Sequence, residues 1–369
     1  MKKIIIVSAV NFRSGGPLTI LDDCLKFLDK QLSSEYKIIA LVHSKKLLVK
    51  TNKIEFIEFP KSISSYVYRF YYEYYYFYKL SKKLRPNLWL SLHDMSPRIK
   101  SNIKAVYCHN PAPFYNTNLE EFFLDKKFSF FSLLYKYIYM INIKSNDYVI
   151  VQQNWMRERF KKLYNIKKCI VAYPVLNENN FNKNMQNENA RTVFFYPSFP
   201  RVFKNFEIIC EAIENINPKY NDTFEVILTI DGSENKYSKK IIEKYAKNKN
   251  IKFIGLQSRE RVFELYSLSD CLIFPSKLET WGLPISEFKN FEKSMLLADL
   301  DYAHEAVGYY DKVKFFNPKD SKILCKYIEN FIDKNISFDG NIIAKPAIPF
   351  SRNWNELFNI LLEKENEVA

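Results

Sequence analysis

The chain has 369 residues, 47% of them apolar, which suits two domains with substantial cores better than one. Its formal net charge of +14 is uneven: residues 1–185 hold 30 Lys+Arg against 14 Asp+Glu, and residues 186–369 hold 25 against 27. The basic first half is therefore expected to face an anionic surface. The six cysteines form no C-x-x-C and read as reduced core residues, and four histidines without ligand spacing give no metal site. The apolar stretch after Met1-Lys2-Lys3 is too short for a signal peptide, and no run of about 18 uncharged apolar residues suggests a membrane span.

Strand-like and helix-like runs alternate along the chain. Ile4–Val7, Tyr36–Val42, Lys53–Phe59, Leu88–Leu92, Ala105–Cys108, Tyr148–Gln152 and Ile170–Pro174 read as strands, with helices over 19–32, 66–84, 119–143 and 154–164. The polar, asparagine-rich residues 176–190 read as a linker. The pattern then restarts, with strands at Thr192–Tyr196, Phe224–Ile230, Ile251–Ile254, Cys271–Phe274, Ser294–Ala298 and Val313–Phe316. Helices are expected over 204–215, 236–248, 259–268, 284–292 and 320–334, and a last one around Trp354–Lys364. Such alternation predicts α/β architecture with parallel sheets covered on both faces.

The densest functional signal lies after the apolar run Cys271-Leu272-Ile273-Phe274. A loop opens at Pro275 and contains Gly282, and Pro284 suits the start of a helix. Glu279 on the loop and Glu287 in the expected first helical turn frame the junction. Backbone N–H groups at a helix start can seat a diphosphate, and carboxylates beside it can accept hydrogen bonds from sugar hydroxyls. A second feature follows the strand Thr192–Tyr196, where Arg201 and Lys204 place two cations at a strand–helix turn, able to offset charge on a leaving diphosphate. In the first half, Ser14-Gly15-Gly16-Pro17 opens a helix after strand one but is no G-x-G-x-x-G, so no nicotinamide or flavin cofactor is read. Two further strands end in His93-Asp94 and in His109-Asn110-Pro111.

The string P-S-x-x-E-x-x-G-L-P-x-x-E over Pro275–Glu287 is followed by Lys293, by Ala298–Glu305 and by Phe316–Asp320. Together they resemble the nucleotide-sugar domain of glycosyltransferase family 4. One departure is Glu292-Lys293-Ser294, where the family has a small residue and glycine before the next strand. The resemblance implies a GT-B fold: two doubly wound Rossmann-like domains with a cleft between them. Residues 1–180 would be the acceptor domain, 190–345 the nucleotide-sugar domain, and 350–369 a helix packing back on the first. It implies that Arg201 and Lys204 meet the donor diphosphate, Glu279 the transferred sugar and Glu287 the ribose. Gly15, Gly16, Ile254, Gly255, Trp281, Gly282 and Leu283 would line the donor, with backbone near Ile254 and Leu256 reading the base. His109 would contact the donor sugar. His93 and Asp94 are acceptor-side candidates, Asp94 as a group orienting the acceptor hydroxyl.

The implied activity is retaining transfer from a nucleoside diphosphate sugar, with no metal, no cofactor and no protein nucleophile. The acceptor would be a polyprenyl-diphosphate- or lipid-linked saccharide in bacterial surface polysaccharide or O-antigen synthesis. Segments 66–84 and 122–143, rich in aromatics and lysine, are either core or membrane-interfacial. The basic first half favours interfacial docking on the anionic inner leaflet by a cytoplasmic enzyme. Alternatives are a GT-B hydrolase or epimerase of nucleotide sugars, and a nucleic-acid-binding protein suggested by the basic charge, for which no recognisable module is present.

Overall fold

The computed structural model describes residues 2–48, 51–174, 191–342 and 345–363. Among them are fourteen strands: β1 (Lys3–Ala9), β2 (Tyr36–Val42), β3 (Ile54–Glu58), β4 (Leu88–Ser91), β5 (Ile103–Cys108), β6 (Tyr148–Val151), β7 (Cys169–Ala172), β8 (Thr192–Tyr196), β9 (Phe224–Leu228), β10 (Ile251–Phe253), β11 (Cys271–Phe274), β12 (Ser294–Ala298), β13 (Val313–Phe316) and β14 (Phe350–Ser351). The chain divides into two compact units, each built on its own parallel sheet. The expected linker 176–190 lies outside the described residues.

The first unit comprises residues 1–114, 132–175 and 345–369, and its sheet runs β14-β7-β6-β5-β4-β1-β2-β3. Alternation along β1 explains why the sheet is covered on both sides. Ile5, Val7 and Ala9 enter one core with Leu21 and Leu25 of the first helix and Leu28 just after it, and Ile6 enters another with Phe77 and Trp89. The helix Trp354–Leu362 adds Leu357, Phe358 and Leu361 to the first of these cores.

The second unit comprises residues 115–131 and 176–344, with a sheet ordered β10-β9-β8-β11-β12-β13. Residues 115–131 thus group with this unit rather than with the rest of the expected first domain. The helix expected over 119–143 is interrupted there. Leu119–Leu124 ends at Asp125, whose backbone leaves the helical region, and a second helix, Lys126–Met140, begins. Asp125 Oδ1 accepts the N–H of Phe128, as a helix-starting carboxylate does. Among the described residues, one strand and one α-helix were not expected from the sequence: β14, only two residues long, and the helix Asp301–Val307. The six cysteines are buried and unpaired by disulfides. No helix of the described residues is long and apolar enough to cross a membrane.

Candidate functional site

In the second sheet the chain runs from β8 to β9 and β10 on one side, then returns to β11 on the other. Doubly wound sheets bind ligands beyond the strand C-termini where the order reverses. The loops after β8 and β11 carry the basic turn and the paired glutamates, and they are stitched together. The Lys277 N–H donates to Phe203 C=O at 2.7 Å, and Tyr196 Oη donates to Lys204 C=O at 2.8 Å. Asn205 is buried at φ 60° and donates through Nδ2 to Pro275 C=O at 3.2 Å and Pro318 C=O at 2.9 Å. The helix expected from 204 therefore begins at Phe206. Val202–Lys204 forms a single tight turn that leaves Lys204 pointing at the neighbouring loop.

Lys204 Nζ is hydrogen-bonded to Glu279, with both side chains mostly buried. Arg201 pairs with Asp125 at 3.0 Å. A third cation, Lys277, lies 3.4 Å from both Glu121 and Glu207. Each candidate phosphate cation thus already holds a carboxylate. Asp125 and Lys277 were missed in the sequence because their partners are far away in the chain.

Glu287 stands apart from Glu279. The helix Leu283–Lys289 makes Glu287 its fifth residue, so it lies in the second turn and not the first as expected. Glu287 accepts from Arg259 at 3.0 Å and from Tyr266 Oη at 3.2 Å. Burial raises its pKa above the ordinary carboxylate value, with Arg259 and the Tyr266 hydroxyl opposing the shift. Gly282 caps this helix at φ 89°, a conformation that side chains resist. Trp281 turns inward and donates to Ser286 Oγ at 2.8 Å, so its ring is part of the core; any contact with a donor falls to its backbone. Leu283 is exposed. The missing glycine before β12 is replaced by Glu292 in the left-handed region at φ 57°.

At the end of β10, Gly255 has φ 67°, and a Cβ there would lie 2.7 Å from Asp231 Oδ2. Both backbone groups of Ile254 are engaged, its N–H with Leu228 C=O at 3.0 Å and its C=O with Gln257 Nε2 at 2.6 Å. Leu256 stands exposed beside them.

In the first unit the order reverses between β1 and β4. Gly15 and Gly16 open the first helix with free space around both. His93 is fully buried, its Nδ1 2.8 Å from Ser8 C=O and its Nε2 2.6 Å from Glu73 Oε1. Both ring nitrogens are engaged, so His93 is removed from the acceptor-side candidates. Asp94 is corrected as well. Its oxygens accept the Tyr135 and Tyr139 hydroxyls, both at 2.9 Å, and the N–H groups of His109 at 2.5 Å and Asn110 at 3.2 Å. A carboxylate so fully engaged is not available to orient an acceptor hydroxyl. The His109 ring lies against Tyr107, 4.2 Å between centroids, and edge-on to Phe12. Burial lowers its pKa below the ordinary histidine value against the pull of Asp94, which keeps the ring neutral at pH 7.

The aromatic–lysine segments divide between core and surface. Phe77 is buried and Glu73 fully so, while Tyr66, Val67, Phe70, Tyr71 and Tyr75 are exposed. On the helix Lys126–Met140, Leu133, Leu134, Tyr137 and Met140 recur at helical spacing and are 55–61% exposed. Lys79 and Lys82 lie over the rings of Tyr75 and Tyr78 at 4.4 and 4.5 Å. Among the described residues no three His, Cys, Asp or Glu side chains cluster as metal ligands.

Two doubly wound units, each on its own parallel sheet, match the GT-B fold. Residues 177–343, somewhat under half of the chain, match the family described as "Glycosyl transferases group 1", and the protein is a glycosyltransferase. The chain is 22% identical over 286 residues to the "O-antigen chain mannosyltransferase RfbU" of Salmonella typhimurium (strain LT2), covering 76% of this chain and 74% of that protein. Its fold is similar to the apo form of the lipopolysaccharide outer core galactosyltransferase WaaB, with a TM-score of 0.64 at 12% identity over 91% of this chain and 92% of the other. It is also similar to Anabaena Alr3699/HepE in complex with UDP-glucose, with a TM-score of 0.58 at 15% identity and 90% coverage of both chains.

Proposed function

We propose that the protein moves a sugar, with retention at the anomeric carbon, from a nucleoside diphosphate sugar to a lipid-linked saccharide in lipopolysaccharide or O-antigen assembly. The observation that carries this reading is the Lys204–Glu279 pair, which joins the basic turn to the paired-glutamate turn at the switch point. In the proposed reaction Lys204 and Arg201 stabilise charge on the departing diphosphate. Glu279 binds the transferred sugar, Glu287 the ribose, and His109 contacts the sugar as a neutral imidazole. The bond from the anomeric carbon to phosphate breaks, the acceptor oxygen takes its place on the same face, and the acceptor proton passes to the departing phosphate. The two cations supply the positive charge, so transfer should survive chelation of divalent metals.

The WaaB and RfbU likenesses support lipopolysaccharide-type chemistry, and the HepE complex supports a nucleotide-sugar donor. The exposed apolar stripe and the lysines of the first half support peripheral docking on an anionic cytoplasmic membrane surface. The test is incubation with UDP- and GDP-sugars, with and without a polyprenyl-diphosphate-linked saccharide. Acceptor-dependent product with retained configuration is expected. Release of free sugar at a rate indifferent to the acceptor would favour a hydrolase instead.

A further inference from the structure

The segment 66–84 and residues 132–140 of the helix Lys126–Met140 converge on one short loop after β4. From the segment 66–84, Arg69 donates to His93 C=O at 3.1 Å, and Glu73 meets His93 Nε2 at 2.6 Å. From the helix Lys126–Met140, Tyr135 donates to Asp94 Oδ2 and Tyr139 to Oδ1, both at 2.9 Å. The same Oδ1 accepts the backbone N–H groups of His109 and Asn110, so one carboxylate joins β4, the loop after β5 and this helix. Asp94 itself sits in the left-handed region at φ 68°, which Asp tolerates better than most side chains. Tyr139 Oη closes the arrangement by accepting the Asn110 N–H at 3.1 Å.

We propose that Asp94 is a positioning residue that sets the His109 ring against the transferred sugar, with Tyr139 as its support. The proposal rests on the reading that His109 meets that sugar. Hydrogen bonds to a carboxylate are roughly twice as strong as neutral ones; two of them fix the chain where it leaves β5 and two more tie the same carboxylate to the helix. A reacting geometry displaced by about 1 Å can lose on the order of 100-fold in rate. His93, one residue earlier, differs in kind: its bonds run to β1 and Glu73 and tie the segment 66–84 to the sheet.

The test is a cycle in the full chain with Asp94→Ala, Asp94→Asn, His109→Ala and the Asp94→Ala/His109→Ala pair. Turnover, KM for the nucleotide sugar and binding of bare UDP or GDP are measured on each. Asp94→Ala should lower kcat by about 30- to 100-fold, by the same positioning argument, while nucleotide binding stays near wild type. Asp94→Asn keeps an acceptor oxygen and a tolerant backbone, and should recover most of that loss. The paired variant should be no slower than His109→Ala alone, because both changes act through one group. If Asp94→Ala folds poorly, Tyr139→Phe replaces it in the cycle and should show the same non-additivity with a smaller loss. Losses that multiply in the paired variant overturn the proposal, as does wild-type kcat in Asp94→Ala beside an inactive His109→Ala. Wild-type transfer by His109→Ala would instead remove the reading of His109 itself, and this proposal with it.

Discussion

Glu279→Ala and Glu287→Ala should separate sugar from nucleotide, and the ion pairs set the direction of each effect. Glu279 is bonded to Lys204, and both side chains are mostly shielded from water. Removing the carboxylate frees a cation assigned to the diphosphate. Binding of bare UDP or GDP should therefore hold or improve, with a ceiling near tenfold if the released pair is worth about 1.4 kcal/mol. Transfer should fall, because Glu279 no longer holds the sugar. A hydrogen bond to a charged group is worth about 1.5–3 kcal/mol, which is on the order of 10- to 100-fold in turnover. Glu287→Ala acts the other way round. Its neighbours are Arg259 and Tyr266 and none of the phosphate cations, so its loss should weaken bare nucleotide binding by a comparable factor. Isothermal titration of the nucleotide and steady-state transfer on the same preparations measure both. Equal loss of nucleotide affinity in the two variants would refute the assignment, and so would a weakened diphosphate affinity in Glu279→Ala.

Arg201→Ala and Lys204→Ala should each depress turnover with the fold intact; wild-type rates in both would remove the phosphate role. Asp125→Asn should release Arg201 and raise affinity for bare diphosphate by about two- to fivefold, as expected for a partly exposed pair worth about 0.5–1 kcal/mol. Glu287→Gln should raise thermal stability at pH 7 and lose that advantage near pH 4. The folded-state pKa of Glu287 is raised, so the stability lost by ionising it appears as pH rises through that value and is absent below the ordinary carboxylate range; an equal change at both pH values would contradict the burial argument. Replacing Lys79, Lys82, Lys83 and Arg85 with glutamine should weaken binding to anionic vesicles, each lysine or arginine being worth about 1 kcal/mol at such a surface. The loss should be larger at low salt and should leave transfer to a soluble acceptor unchanged. Binding indifferent to lipid charge would count against docking.

What could be read from the sequence and what could not divide along the range of the interactions. β2, β8, β11, β12 and β13 fall on their expected bounds, because each is a mainly apolar run flanked by polar residues or proline. β14 gives no such signal: two residues pair with β7 and owe their conformation to that partner. The same division runs through the site. Glu279, Glu287, Arg201 and Lys204 were legible because each lies in a local pattern at a strand end. Their partners Asp125, Arg259 and Tyr266 were not, since the fold brings together residues 76 and 28 positions apart in two of these pairs. His93 and Asp94 show the cost of reading a pair as a unit. Adjacent in sequence at a strand end, they looked like one polar patch. The left-handed backbone at Asp94 sends the two side chains to different duties, the imidazole to Glu73 under the segment 66–84 and the carboxylate to the His109 backbone. Nothing local announces Glu73, one acid among tyrosines, yet its complete burial beside His93 decides that the histidine serves the core. A carboxyl group sealed inside an aromatic helix needs a specific hydrogen-bond partner, and that partner is set by tertiary structure.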